Sequence, residues 1–457
     1  MLSILFHHFV PASLYGGRTV YPALSKIDRE FRAPGCGDVL AAVAEKGKLA
    51  LYGHLLAHFG STLAQALTLK LVNICLAGHH FRARDVSLQS RPIGLIIDPS
   101  NMCRLACPGC VHSTRSESLK VFDWRNGTLS LDRFEALLRI YGPYVIGVYF
   151  CNFGEPLLNL GTPELIQAAK GYLHWTALST SLSVQRLDAD AYVESGLDSM
   201  VVSIDGATQP VYERFRHDGN LELVFDNIRK LVAAKRRLRR KTPLLSWKFL
   251  AFEHNAHEIP EAARMARRLG VDQFQVVSPY DVTWDDPDIR AAASVKTGIL
   301  RLNWLAMANQ PENWNPFPED IEREDIANAF ETPLCRPELR REERPPTSGH
   351  TCHWLYRSLV MDATGRIMPC CSAPRPDADL VFAHFDGFGD PFNSEKHISA
   401  RALFSAGTVP CDSAPYCIRC DWDQTGVVIG GPEIQRYFRA VDPAYFDRRS
   451  LRLLSEW

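Results

Sequence analysis

The sequence predicts an α/β protein: a partial (β/α)6 barrel, with an N-terminal helical region before it and a small C-terminal cysteine-rich cluster domain after it. Three observations carry this. From Pro92 to about residue 290, apolar runs of strand length alternate six times with amphipathic helical stretches, and alternation of that length implies parallel pairing. Residues 1–91 show helical rather than strand periodicity. Six of the thirteen cysteines lie at or after Cys352, beyond a polar, proline-containing stretch, CRPELRREERPPTSGH. The boundaries read as 1–91, 92–290, a linker over 291–347, and 348–457.

The elements follow in order. In the N-terminal region, Ser61 is placed to cap a helix in which Leu63, Leu67, Leu71 and Ile74 recur at helical spacing, with Gly78 at its end. DVLAAVAEKGKLALYGHLLAHFG before it is similar, and both apolar faces are wide. They either pack on the next domain or meet a membrane surface or lipid. The barrel then reads GLIID as a buried strand, LDRFEALLRIYG as a helix and VIGVYFCNF as a strand. TPELIQAAKGYL (helix), TALSTSL and LDSMVVSIDG (strands) and LVFDNIRKLVAAKRRL (helix) come next. LLSWKFLAF, the helix PEAARMARRLG and the strand FQVVSP complete the series. Six units suit an open, partial barrel whose functional loops sit at the carboxyl ends of the strands. In the C-terminal region, LVMDATGRIMPCC reads as a hairpin turning at Asp362 to Gly365.

Composition sets the context. The chain has 457 residues, 46% hydrophobic and 23% charged, with a formal net charge of -1. That balance is ordinary for a globular protein and argues against a nucleic-acid partner. The opening apolar run has no basic stretch before it, and no window reaches the apolar length of a membrane span, so a cytoplasmic location is expected, with peripheral membrane contact through the N-terminal helices open. The basic run 235–241 falls at a helix C-terminus, where cations favour the dipole, and reads as a solvated helix end.

The chemistry is concentrated in NMCRLACPGC, which places Cys103, Cys107 and Cys110 in a C-x3-C-x2-C spacing in the loop after the first strand. Three thiols are one short of a structural zinc site and do not pair as disulfides. Soft thiolates select zinc or iron–sulfur clusters, and three of them on a four-iron cluster leave one iron open to a small molecule.

This pattern resembles the radical S-adenosylmethionine (SAM) enzymes. The resemblance implies a [4Fe–4S] cluster on Cys103, Cys107 and Cys110 whose open iron holds SAM, reductive cleavage of SAM to a 5′-deoxyadenosyl radical, and an electron donor such as flavodoxin or ferredoxin. Further matches fall at successive strand ends. Phe153 to Pro156 (FGEP) resembles the family's G-G-E element, which implies SAM contacts at Gly154 and Glu155. Ser179-Thr180-Ser181 stands where relatives often carry S-T-N, which implies ribose contacts from Ser179 and Ser181. Ser203-Ile204-Asp205-Gly206 resembles the S-x-D-G element, implying SAM contacts at Ser203 and Asp205, and Arg216 in the following YERFR resembles an arginine that pairs with the SAM carboxylate. Where relatives often carry an aromatic residue before the third cysteine, this chain has Gly109.

The C-terminal cysteines resemble the SPASM and twitch extensions of that family. The resemblance implies one auxiliary [4Fe–4S] cluster on Cys352, Cys370, Cys417 and Cys420, with Cys371 and Cys411 as spare thiols or alternative ligands. A zinc site on the same four residues, in a zinc-stapled binding protein without SAM chemistry, is the competing reading. Cys151, beside the FGEP turn, is either a buried packing residue or a hydrogen donor facing the barrel interior. Tyr280, Asp281, Trp284 and Cys335 are candidate substrate contacts. The expected reaction is hydrogen abstraction from a small-molecule or lipid substrate, with the auxiliary cluster as electron acceptor. The alternatives are a maturase acting on a ribosomal peptide and a carbon–carbon coupling lipid synthase.

Overall fold

A computed structural model describes residues 69–70, 73–74, 76–112, 126–279, 286–292, 295, 298–301, 351–371, 380–406 and 417. The earlier N-terminal helices, residues 302–350 (which include most of the linker read as 291–347), Tyr280, Asp281, Trp284, Cys411 and Cys420 lie outside the described residues, as does Cys335.

Six strands lie side by side in chain order: β1 (Gly94–Ile97), β2 (Gly147–Phe150), β3 (Trp175–Thr180), β4 (Ser199–Ser203), β5 (Leu244–Leu250) and β6 (Gln273–Val277), each parallel to the next. All six apolar runs predicted as strands form them. Helices α1 (Leu131–Tyr141), α2 (Thr162–Lys170), α3 (Ala189–Glu194), α4 (Gln209–Glu213), α5 (Leu221–Arg237) and α6 (Ile259–Arg268) carry the crossovers. Ser130, Asp188 and Asn220 cap α1, α3 and α5, each accepting from a backbone N–H three residues on.

The sheet continues beyond these six strands. At one edge β7 (Gly298–Arg301) runs antiparallel to β6. At the other, after the one-turn α7 (Trp354–Arg357), β8 (Ser358–Met361) pairs in parallel with β1, and β9 (Arg366–Met368) and β10 (Ala383–His384) add antiparallel strands. The predicted hairpin therefore forms, turning at Asp362 to Gly365, and extends the barrel's own sheet. The sheet ends at β7 and β10, so the barrel is open. Helix α8 (Glu395–Ala406) packs back through Arg401, which is buried and donates to the carbonyls of Leu355 and Phe392 and to Asn393.

Two expectations change. Residue Gly78 does not end its helix; the helical stretch runs on to residue 83, and Arg84, with φ +56°, breaks it in the left-handed conformation. Lys235, read as part of a solvated helix end, is buried and pairs at 2.6 Å with the equally buried Asp272. Position in sequence placed it at a terminus; the packing of α5 against the strand ends decided its environment.

Parallel register divides the barrel strands into two faces. Ile97, Phe150, Leu178, Met200, Leu245 and Phe274 are fully buried beneath the helices. The alternate positions face the interior and are richer in polar groups: Asp98, Cys151, Ser179, Ser203, Lys248 and Gln275, with Ser203, Lys248 and Gln275 in direct register. Near the amino ends Tyr149 and Trp175 meet edge-on at 5.3 Å. An apolar outer face and a polar, half-buried inner face are what a barrel needs if its interior is to hold a ligand.

Candidate active site

The cysteine loop is held by β1 and β2. Asp98, at the end of β1 and fully buried, accepts from the backbone N–H groups of Phe153 at 3.0 Å and Gly154 at 3.1 Å, which joins the first strand to the FGEP turn. Burial pushes its carboxyl up to about 8 even though those two N–H groups pull the other way. The Glu155 N–H then donates to Met102 O at 2.7 Å, immediately before Cys103. Gly154 is pressed so closely on this loop that a Cβ there would lie 1.6 Å from Ser100 O. The glycine is required by that contact.

Within the loop, the Cys110 N–H donates to Cys107 O at 3.1 Å and the Leu105 N–H to the Cys103 sulfur at 3.4 Å. Gly109 adopts φ +72°, so the residue standing in place of an aromatic one serves the turn that brings Cys110 back toward Cys107. All three cysteines pack with Leu105, Phe215, Leu250, Phe252 and Ile289. Burial raises the thiols, Cys103 to about 12 and Cys110 to about 11. Cys107 is raised by burial too, but the Arg216 guanidinium opposes this, with Nη1 3.7 Å from its sulfur. His112 follows the loop and shares a hydrogen bond of 2.8 Å with Phe153 O, tying loop to turn a second time.

The third and fourth strand ends complete the wall. Glu155 is buried and its carboxylate is saturated: Oε1 accepts from the Thr180 hydroxyl at 2.5 Å and Leu157 N at 3.2 Å, and Oε2 from Ser181 N at 2.8 Å and the Ser181 hydroxyl at 2.7 Å. Glu155 and Ser181, both expected at SAM, are thus engaged with each other. Ser179, in contrast, sits half-buried on the interior face. At β4, Asp205 is wholly buried; its Oδ2 accepts from Arg216 Nε at 2.6 Å and its Oδ1 from Leu250 N at 2.7 Å. Burial alone would lower the arginine, yet Asp205, then Cys107 and Tyr212, hold it firmly charged. Arg216 also lies 5.1 Å over the Phe215 ring. One guanidinium therefore links the fourth strand to the cysteine trio.

The structure brings the barrel's predicted residues to one rim: Cys103, Cys107, Cys110, Gly154, Glu155, Ser179, Ser181, Ser203, Asp205 and Arg216 all stand on β1–β4 ends or the loops that follow. Sequence reasoning missed Asp98, Thr180, Asn255 and Lys248. Asn255 donates to the carbonyls of Asp205 and Leu250 at 2.9 Å each, bracing the fourth end against the fifth. The one signal for Asp98 was a charged residue closing an apolar strand, GLIID.

Of the C-terminal thiols, Cys352 and Cys370 are half-buried and Cys417 is buried, all against the main core. Cys371, next to Cys370, lies near enough to Cys151 and Asp98 for their charges to act on its thiol, which burial pushes far up. Among the described residues, no three His, Cys, Asp or Glu side chains converge as a single metal ion needs. A cube presents a separate iron to each thiolate, so the trio fits a cluster without converging on a point.

Residues 97–245 match the Radical SAM superfamily. Over 290 residues the chain is 23% identical to PqqA peptide cyclase of Gluconobacter oxydans (strain 621H), covering 63% of this chain and 72% of that protein. Over 181 residues it is 25% identical to a probable GTP 3',8-cyclase of Methanococcus maripaludis (strain C5), covering 39% of this chain and just 56% of that protein. Among solved structures, Streptococcus suis SuiB bound to S-adenosylmethionine aligns over 72% of each chain, with a TM-score of 0.43 and 16% identity. Native anSMEcpe with bound AdoMet aligns over 67% of this chain and 80% of its own, at 0.42 and 14%.

Proposed function

We propose that this chain, a radical SAM enzyme whose family domain spans residues 97–245, modifies a peptide substrate inside its barrel. The supporting observation is the extent of likeness: 290 residues align at 23% identity with a peptide cyclase, well beyond the family domain, against 181 at 25% with a probable GTP 3',8-cyclase. This moves the substrate from the small molecule or lipid expected from the apolar N-terminus to a peptide.

The residues present fit the cofactors the family implies. Three thiols on one short loop, a guanidinium at Cys107 to favour thiolate, and a glycine that lets the FGEP turn close onto that loop make a cluster cradle. When bound, the cluster and S-adenosylmethionine supply the reducing electron and the hydrogen-abstracting group. The protein's share is positioning. Cys103, Cys107 and Cys110 hold the cluster, and the backbone at Gly154 receives the SAM ammonium. Glu155 acts as a clamp, fixing the second strand end to the third through Thr180 and Ser181. The interior hydroxyls of Ser179 and Ser203 take the ribose. Asp205 aims Arg216, whose charge serves both Cys107 and the SAM carboxylate.

Cys352, Cys370, Cys417 and Cys420 hold an auxiliary [4Fe–4S] cluster beside the barrel, and a flavodoxin or ferredoxin supplies electrons. The test is mass spectrometry of an anaerobic reaction with SAM and reductant, offered separately a peptide fraction and a lipid and metabolite fraction. Modification confined to a peptide is expected. A product found only in the lipid and metabolite fraction would return the assignment to small substrates.

A further inference from the structure

The described structure has two buried lysines with obvious tasks. Lys70 donates to the carbonyls of Gly142 and Val145, and Lys235 pairs with Asp272. A third interior lysine is different. Lys248 stands in mid-β5 on the inner face, between Ser203 and Gln275 in register, and among the described residues its ammonium has no hydrogen-bond or ion-pair partner.

The groups around it leave the charge uncompensated. Among the described residues Asp205 is the carboxylate whose charge acts on it, but its two oxygens are already taken by Arg216 Nε and Leu250 N. Cys151 faces it across the interior, and burial pushes that thiol up to about 12, which keeps it neutral. Arg216 adds a like charge. Lys248 is half-buried, so its charge is only partly met by solvent, and a ligand anion would complete the compensation.

We propose that Lys248 is the anchor for a carboxylate of the substrate inside the barrel. The geometry favours a carboxylate over a polyphosphate: one compact ammonium among hydroxyl and amide side chains (Ser203, Ser179, Gln275) matches a single anionic group, whereas phosphate chains call for several cations or an arginine fork. On the peptide reading above, from which the substrate class is taken, the anion is an acidic side chain or the chain terminus. Anchoring it on β5 places the neighbouring part of the substrate against β1 and β2, where Asp98, Cys151 and the cysteine loop stand.

The test is competitive lysine labelling of the reconstituted holoenzyme with acetic anhydride, read residue by residue by mass spectrometry, with glutarate as the probe. Bound anion shields Lys248 and keeps it protonated, so its labelling should fall as 1 + [glutarate]/Kd, about tenfold at about ten times Kd. Exposed Lys241 should not respond, and sodium chloride at matched ionic strength should have no effect. Protection by glutarate should persist with SAM bound. Labelling that ignores glutarate, or a Lys248 that never reacts, overturns the proposal. So does protection by SAM alone to which glutarate adds nothing, because the anion would then be SAM's own carboxylate. If glutarate protects while the enzyme releases no 5′-deoxyadenosine from SAM, the anion site stands and the radical SAM function fails instead.

Discussion

Removing both members of the Asp205–Arg216 pair should cost less than the two single removals added together. Asp205 is 0% exposed and Arg216 only 14% at the side chain, with a 2.6 Å contact between them. Asp205→Ala leaves a guanidinium facing Lys248 with no counter-charge, and leaves Leu250 N without its acceptor. Arg216→Met leaves a fully buried carboxylate held by one backbone N–H. Breaking a buried pair from one side costs about 3–5 kcal/mol. For a domain of the barrel's size that is a fall in Tm of about 10 °C, at about 2–4 °C per kcal/mol. The double variant Asp205→Asn with Arg216→Met removes both charges and keeps an acceptor for Leu250 N, so it should recover about 1–3 kcal/mol relative to the sum of the single changes. Thermal unfolding of the singles and the double gives the coupling energy, and SAM titration of the reconstituted proteins gives the functional half, with affinity down about tenfold or more in either single variant. Additive effects on Tm together with unchanged SAM affinity would refute the idea that this pair aims Arg216 at the cofactor.

Three further outcomes follow from the geometry. Gly154→Ala would place a Cβ 1.6 Å from Ser100 O, so the turn and the cysteine loop must separate; a loss of about 1–3 kcal/mol and reduced iron loading are expected, and wild-type values for both would contradict the close approach. Asp98, raised by burial from the ordinary 3.8 to about 8, binds a proton in the folded state that the unfolded chain releases between those values; its contribution to stability should therefore be full below about pH 4 and be lost as pH rises toward 8, and Asp98→Asn should remove that component of the slope in Tm measured from pH 5 to pH 8.5. With Cys103, Cys107 and Cys110 all changed to alanine, about four irons should remain with an EPR signal indifferent to SAM; one zinc and no iron would turn the C-terminal cysteines into a structural staple.

What could be read in advance tracks how local the determinant is. The six barrel strands were legible as short, mostly apolar runs set apart by helices, because each such run lies within one element. The cysteine trio was legible for the same reason: its spacing lies within one loop. The pairing of β8 with β1 was not, since it joins Ser358–Met361 to Gly94–Ile97 across most of the chain. Nor was α3, six residues long, too short a stretch to show helical periodicity of its own. Single residues whose meaning depends on register stayed hidden. Lys248 is one basic residue in an apolar strand until the sheet shows which face it occupies. Glu155 and Ser181 read naturally as cofactor contacts, yet the folded chain uses them on each other, a side-chain pairing no spacing rule announces.

The central claim is that Cys103, Cys107 and Cys110 carry SAM chemistry in this barrel. Anaerobically reconstituted protein should hold about eight irons per chain and, with reductant, release 5′-deoxyadenosine from SAM, whereas the triple alanine variant should keep its fold, lose one four-iron cluster and release none. If the triple variant produced 5′-deoxyadenosine at the rate of the unaltered protein, the cysteine loop would not be the seat of the chemistry and the account would fail.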